Sequence, residues 1–115
     1  SNVASLAGSR RTPQIGVVKV LLATRDLFFR SKLAAVVTAG GAEVVARDAP
    51  CDLVVLDVEA PGAAERIRGL VQRGVPVLAY GPHVRAELLR AAREAGATAV
   101  PNSEVERVLA ERARG

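Results

Sequence analysis

Asp52-Leu53-Val54-Val55-Leu56-Asp57-Val58-Glu59-Ala60-Pro61-Gly62 is the stretch on which the fold turns. Four consecutive β-branched or leucine residues, Leu53–Leu56, have no polar alternation. Such a run fits a strand covered on both faces, as in a parallel sheet between helical layers. A carboxylate closes the run at Asp57, and Pro61-Gly62 then opens a helix with Ile67, Leu70 and Val71 on one face, ended by Gly74. The unit is therefore strand, acidic turn, helix.

The same grammar repeats on either side. Upstream, Val17–Ala23 is a strand, and Asp26 caps a helix that reaches Ala39 and stops at Gly40-Gly41. Glu43–Ala46 is a second strand. Downstream, Pro76–Tyr80 is a fourth strand, and Gly81-Pro82 turns into a helix carrying Val84, Leu88, Ala91 and Ala95. Thr98–Val100 is a fifth strand, and Ser103 with Glu106 reads as the capping box of a last helix carrying Val105, Val108 and Leu109. Strands alternating with helices predict an α/β fold whose chemistry lies at the carboxyl ends of the strands. That rule singles out Thr24, Arg25, Asp26, Asp57, Gly81 and Ser103, with Pro82 and His83 as a rim where helix-start amides could hold an anion.

Composition narrows the function classes. The chain has 115 residues, one cysteine and one histidine, so an internal disulfide and the usual zinc spacings are excluded. Neither a glycine-rich dinucleotide fingerprint nor a P-loop is present. No apolar run approaches the ~20 residues of a membrane span, and the first residues lack a leader-like apolar stretch, which sets a cytoplasmic expectation. The net charge is +4, but the basic residues alternate with acids on the helices, and aromatics are only 3%. Both features argue against a nucleic-acid partner, and the charges read as solvated helix faces. Cys51 reads as a small core or turn residue, and Phe28-Phe29 as core plus one partly exposed ring. Residues 1–15 lack periodicity and are expected to be a flexible tail, with the folded domain over 16–115.

With these residues in hand, the chain resembles the receiver domain of two-component response regulators. Asp52–Gly62 is similar to that family's D-L-V-L-L-D-x-x-x-P-G, Pro76-Val77-Leu78 to its fourth strand, and Ala95-Gly96-Ala97 to its turn into strand five; Arg30 falls where a helix arginine often follows the acidic cluster. The resemblance implies a flavodoxin-like (CheY-like) three-layer fold with a five-stranded parallel sheet in the order 2-1-3-4-5. It places Asp57 at the phosphoacceptor position. It also places departures on the chemistry. The acid pair that holds Mg²⁺ in receivers becomes Thr24 and Arg25, the hydroxyl residue after strand four becomes Gly81, and the strand-five lysine becomes Ser103. A degenerate, non-enzymatic receiver follows, with no metal and no cofactor, acting on a partner protein or as a homodimer. The alternatives are a working phosphoacceptor at Asp57 or a binder of small anions at the strand ends. Arg25, a permanent cation beside Asp57 or Asp26, is expected to replace the metal through a hydrogen bond.

One further expectation comes from length. Only Arg47–Asp52 separates the second and third strands. Six residues span on the order of 20 Å when extended, too short to cross the sheet and also hold a helix, and Pro50 disfavours helix at Ala49. The receiver's second helix should therefore be replaced by an extended crossover. Sheet left uncovered there would take the tail, through Val3 and Leu6, or a second molecule.

Overall fold

The computed structural model describes residues 16–115; the expected tail, with Val3 and Leu6, lies outside the described residues. Five strands, β1 (Lys19–Ala23), β2 (Glu43–Val44), β3 (Leu53–Asp57), β4 (Val77–Gly81) and β5 (Thr98–Pro101), alternate with α1 (Leu27–Ala39), α2 (Ala63–Gln72), α3 (Ala86–Glu94) and α4 (Val105–Ala113). All pairings are parallel, in the order β2-β1-β3-β4-β5. The expected strand order and the missing helix are both found.

Alternation along the strands divides the core into two layers. Leu21, Val54, Leu56, Val77 and Ala79 pack with Ile67 and Leu70 of α2 and Leu89 and Ala92 of α3. Val20, Leu22, Val55, Leu78 and Tyr80 pack with Leu33 and Val37 of α1 and Val105 and Leu109 of α4. Successive side chains point to opposite faces, so the apolar run of β3 serves both layers at once. The helices α1 and α4 lie so close that a Cβ on Gly40 would come within 2.9 Å of the Ala113 Cβ.

Between β2 and β3 the chain makes a turn, Ala49 N–H donating to the Ala46 carbonyl at 3.0 Å, and no helix. Asp52 pins the return to the start of β1: its backbone N–H donates to the Lys19 carbonyl at 2.7 Å, and its carboxylate accepts from the Lys19 N–H at 2.8 Å. Val45 points into the α2–α3 layer and Val44 into the other. The crossover supplies part of its own cover. Cys51 packs against the α2–α3 layer, and Leu21 is only 8% exposed, while Val45 stays half-buried.

Two local expectations fail at helix starts. The Ser103–Glu106 capping box does not form: α4 begins after Glu104 without a side-chain cap, and Glu106 instead faces Lys32 of α1 at 3.5 Å. The helix after β4 begins at Ala86 rather than after Pro82, so Val84 lies in the preceding turn, 73% exposed, and the buried face is Leu89 and Ala92. Pro82 accepts from Arg85 N–H at 2.9 Å, and this turn uses up the residues that periodicity assigned to the helix.

Candidate functional site

Asp26, Asp57, Tyr80, Pro82 and Asn102 meet at the carboxyl edge of the sheet, with Phe29 and Glu59, around a small pocket of about 170 Å³. Each is placed by a simple local cause. Asp26 is the N-cap of α1: its Oδ1 accepts from Phe28 and Phe29 N–H at 2.9 and 3.2 Å. Those are two of the amides a helix leaves without intrahelical partners. Asp57 ends β3, and its Oδ1 accepts from Glu59 N–H at 2.8 Å, a carboxylate folding back on its own turn. Asn102 follows β5, and its N–H donates to the Gly81 carbonyl at 2.8 Å, closing the β4–β5 edge.

Tyr80 dominates the pocket wall. It is 4% exposed, and its ring lies 4.9 Å from that of Phe29 at 45°. Its hydroxyl donates to Thr24 Oγ1. Burial pushes the phenol up to about 12; the Thr24 hydrogen bond opposes this, and the nearby carboxylates Asp57 and Asp26 add to it. The phenol therefore stays protonated and neutral over the physiological range, joining the end of β4 to the turn after β1.

The sequence-predicted residues separate into two groups. Thr24, Asp26, Asp57 and Pro82 meet at or beside this pocket. Ser103 and His83 are exposed and outside its lining; Asn102 stands where Ser103 was expected. The expected bond from Arg25 to Asp57 or Asp26 is absent: among the described residues Arg25 makes no ion pair with either, and it lines a different pocket with Arg30, Arg47 and Arg66. The two residues after β1 diverge because Thr24 is held by Tyr80, whereas Arg25 lies in an exposed bend. Gly81 has a steric reason to be glycine: a Cβ there would collide with Val58 Cγ2.

The receiver fold implies a divalent cation at this edge, and the donors do not fit one. Hard cations take several oxygens at once. Asp26, Asp57 and Glu59 share the pocket lining, but among the described residues no three carboxylate, histidine or cysteine side chains are grouped so that they could hold a metal ion. Asp26 and Asp57 each have an oxygen committed to backbone amides, and Glu59 is drawn off by Arg85 at 3.3 Å. Arg85 also holds Glu87 at 2.9 Å, which raises the arginine further and keeps the Glu87 carboxyl below its ordinary value.

Sequence reasoning missed Tyr80 and Asn102. Tyr80 had a visible signal: it is the chain's single tyrosine, at the end of a strand otherwise aliphatic, next to Gly81. Asn102 had none, since strand register decides whether residue 102 or 103 faces the pocket.

No family model matches the chain, and no curated protein matches it. Solved structures do. NtrX from Brucella abortus matches with a TM-score of 0.71 at 19% identity, over 86% of this chain and 27% of that one. The isolated receiver domain of NtrX from Brucella abortus gives 0.67 at 20% identity, over 83% of this chain and 97% of that one. The beryllofluoride-activated NtrC4 receiver domain dimer gives 0.66 at 17% identity, over 83% and 94%. The chain thus spans about a quarter of the NtrX chain and nearly all of a receiver domain, and it has the receiver fold. Among the described residues no helix is long and apolar enough to cross a membrane.

Proposed function

We propose that this chain is a regulatory interaction module on the receiver fold, acting by contact with a partner protein or a second copy and without phosphoryl transfer to Asp57. The observation that carries the reading is the Tyr80–Thr24 hydrogen bond. It ties up the edge beside Asp57, where a receiver would hold a metal by a carboxylate pair. Without a cation, charge on a transferring phosphoryl group has nothing to neutralise it. One structure of similar fold, the NtrC4 receiver domain, is described as a dimer. In receivers the surface of the helix before strand five, strand five and the last helix is the usual docking face. Its equivalent here is α3–β5–α4, in which Arg93 ties α3 to β5, its Nε and Nη2 donating to the Ala99 carbonyl at 3.2 and 2.8 Å.

The test is amide NMR under Mg²⁺ with beryllofluoride, then with acetyl phosphate. The expected result is no saturable shift around Asp57 and Tyr80, in wild type and Asp57→Ala alike. A saturable, Mg²⁺-dependent shift that Asp57→Ala abolishes would replace this reading with a working phosphoacceptor.

A further inference from the structure

Four arginines line one pocket at the carboxyl ends of β1 and β2. Arg25 comes from the turn after β1, Arg30 from α1, Arg47 from the crossover and Arg66 from α2. The rest of the lining is aliphatic apart from Thr24, and it includes no carboxylate. None of the four makes an ion pair or a side-chain hydrogen bond among the described residues, whereas Arg85 and Arg107 each hold two carboxylates. Arg25, Arg47 and Arg66 are exposed and Arg30 is half-buried. The pocket measures about 380 Å³, within the roughly 300–1,000 Å³ of small-molecule sites.

The short crossover makes this arrangement. Arg47 and Arg66 border both this pocket and the adjoining one under Asp48–Cys51. A helix between β2 and β3 would stand there; without it the crossover arginine lies directly beside α2. Four like charges in one pocket repel, so the pocket favours an occupant of opposite sign.

The geometry points to a binding site for a chain of two or three phosphates, inorganic or carried by a nucleoside, held by Arg25, Arg30, Arg47 and Arg66. Guanidinium forks match phosphate oxygens bidentately. A single phosphate group carries at most about two charges and can satisfy only part of the cluster. Linked phosphates present several anionic groups along a line, and four arginines from four separate elements can each take one side of it. The position also obeys the rule that ligands of open α/β sheets bind outside the strand carboxyl ends. The inference goes beyond the proposed interaction role and does not depend on it.

Calorimetric titration tests it, at fixed ionic strength with EDTA and no Mg²⁺, so that phosphoryl chemistry at Asp57 plays no part. Tripolyphosphate and pyrophosphate should bind saturably, and orthophosphate at least about tenfold more weakly. Arg47→Gln and Arg66→Gln should each weaken tripolyphosphate by about tenfold or more, while the matched Arg90→Gln and Arg114→Gln change it by less than about twofold. ATP or GTP binding more tightly than tripolyphosphate supports the site and assigns it to nucleotides; equal affinity supports it and assigns the inorganic chain. Three results would overturn it: no saturable binding of tripolyphosphate at ~1 mM, equal losses in the matched variants, or tighter binding of an oligoglutamate peptide in the same assay.

Discussion

Tyr80 is the only tyrosine of the chain and there is no tryptophan, so its near-ultraviolet absorbance reports one phenol without interference. A folded value of about 12 against an ordinary 10.0 means that the native state holds the phenolic proton more tightly than the unfolded chain. The stability this contributes is complete below pH 10 and is lost as pH rises through 10.0 toward about 12. Tyrosinate absorbance of the native protein should therefore appear well above its value in denaturant, and Tyr80→Phe should flatten the loss of stability in that alkaline window. At neutral pH the same substitution should cost about 1 kcal/mol, the worth of one hydrogen bond, by urea unfolding. Coincident titration in native and denatured protein would contradict the buried, Thr24-bonded phenol. Asp26 and Asp57 were both legible in the sequence because a cap and a strand end are local features. The fate of Arg25 was not, because a long exposed side chain is directed by what surrounds it and not by its place in the chain.

Gly81 closes β4 against Val58, and the two belong together. Introducing a hydroxyl residue with Gly81→Ser drives its Cβ into Val58 Cγ2, an overpacking that should cost about 1–3 kcal/mol. Val58→Ala removes the obstructing methyls. The double variant should be less destabilised than the sum of the singles, and a urea double-mutant cycle measures that coupling. Strict additivity would show that the strand end relaxes freely. The crossover was readable at this scale because six residues cannot both traverse the sheet and coil. Helix starts were less readable: α3 begins four residues after Pro82 and α4 lacks its expected cap. In both places a backbone turn closes on the N-cap residue, Arg85 N–H donating to the Pro82 carbonyl and Glu104 N–H to the Pro101 carbonyl, in a way that side-chain spacing does not reveal.

Across the whole molecule the sheet separates two apolar layers that share strands but not side chains. Leu33 on one side and Ile67 on the other are both fully buried. Leu33→Ala and Ile67→Ala should each cost about 2–5 kcal/mol. Their effects should add within about 0.5 kcal/mol, because they lie in different layers and share no cavity; urea unfolding of the singles and the double decides it, and strong coupling would mean that the two layers behave as one. The sequence by itself determined the strand and helix succession, the parallel sheet and the lack of a helix between β2 and β3, because apolar runs, glycine stops and a six-residue gap are short-range constraints; the strand order followed only from the resemblance to receivers. It also marked Asp26 and Asp57 as the acids of the carboxyl edge. Only the tertiary structure decided that Tyr80 reaches Thr24 across 56 positions of sequence, that Asn102 faces the pocket in place of Ser103, and that four arginines from four elements line one pocket. Those contacts depend on strand register and helix placement, which set which distant side chains share a space and which local pattern leaves undetermined.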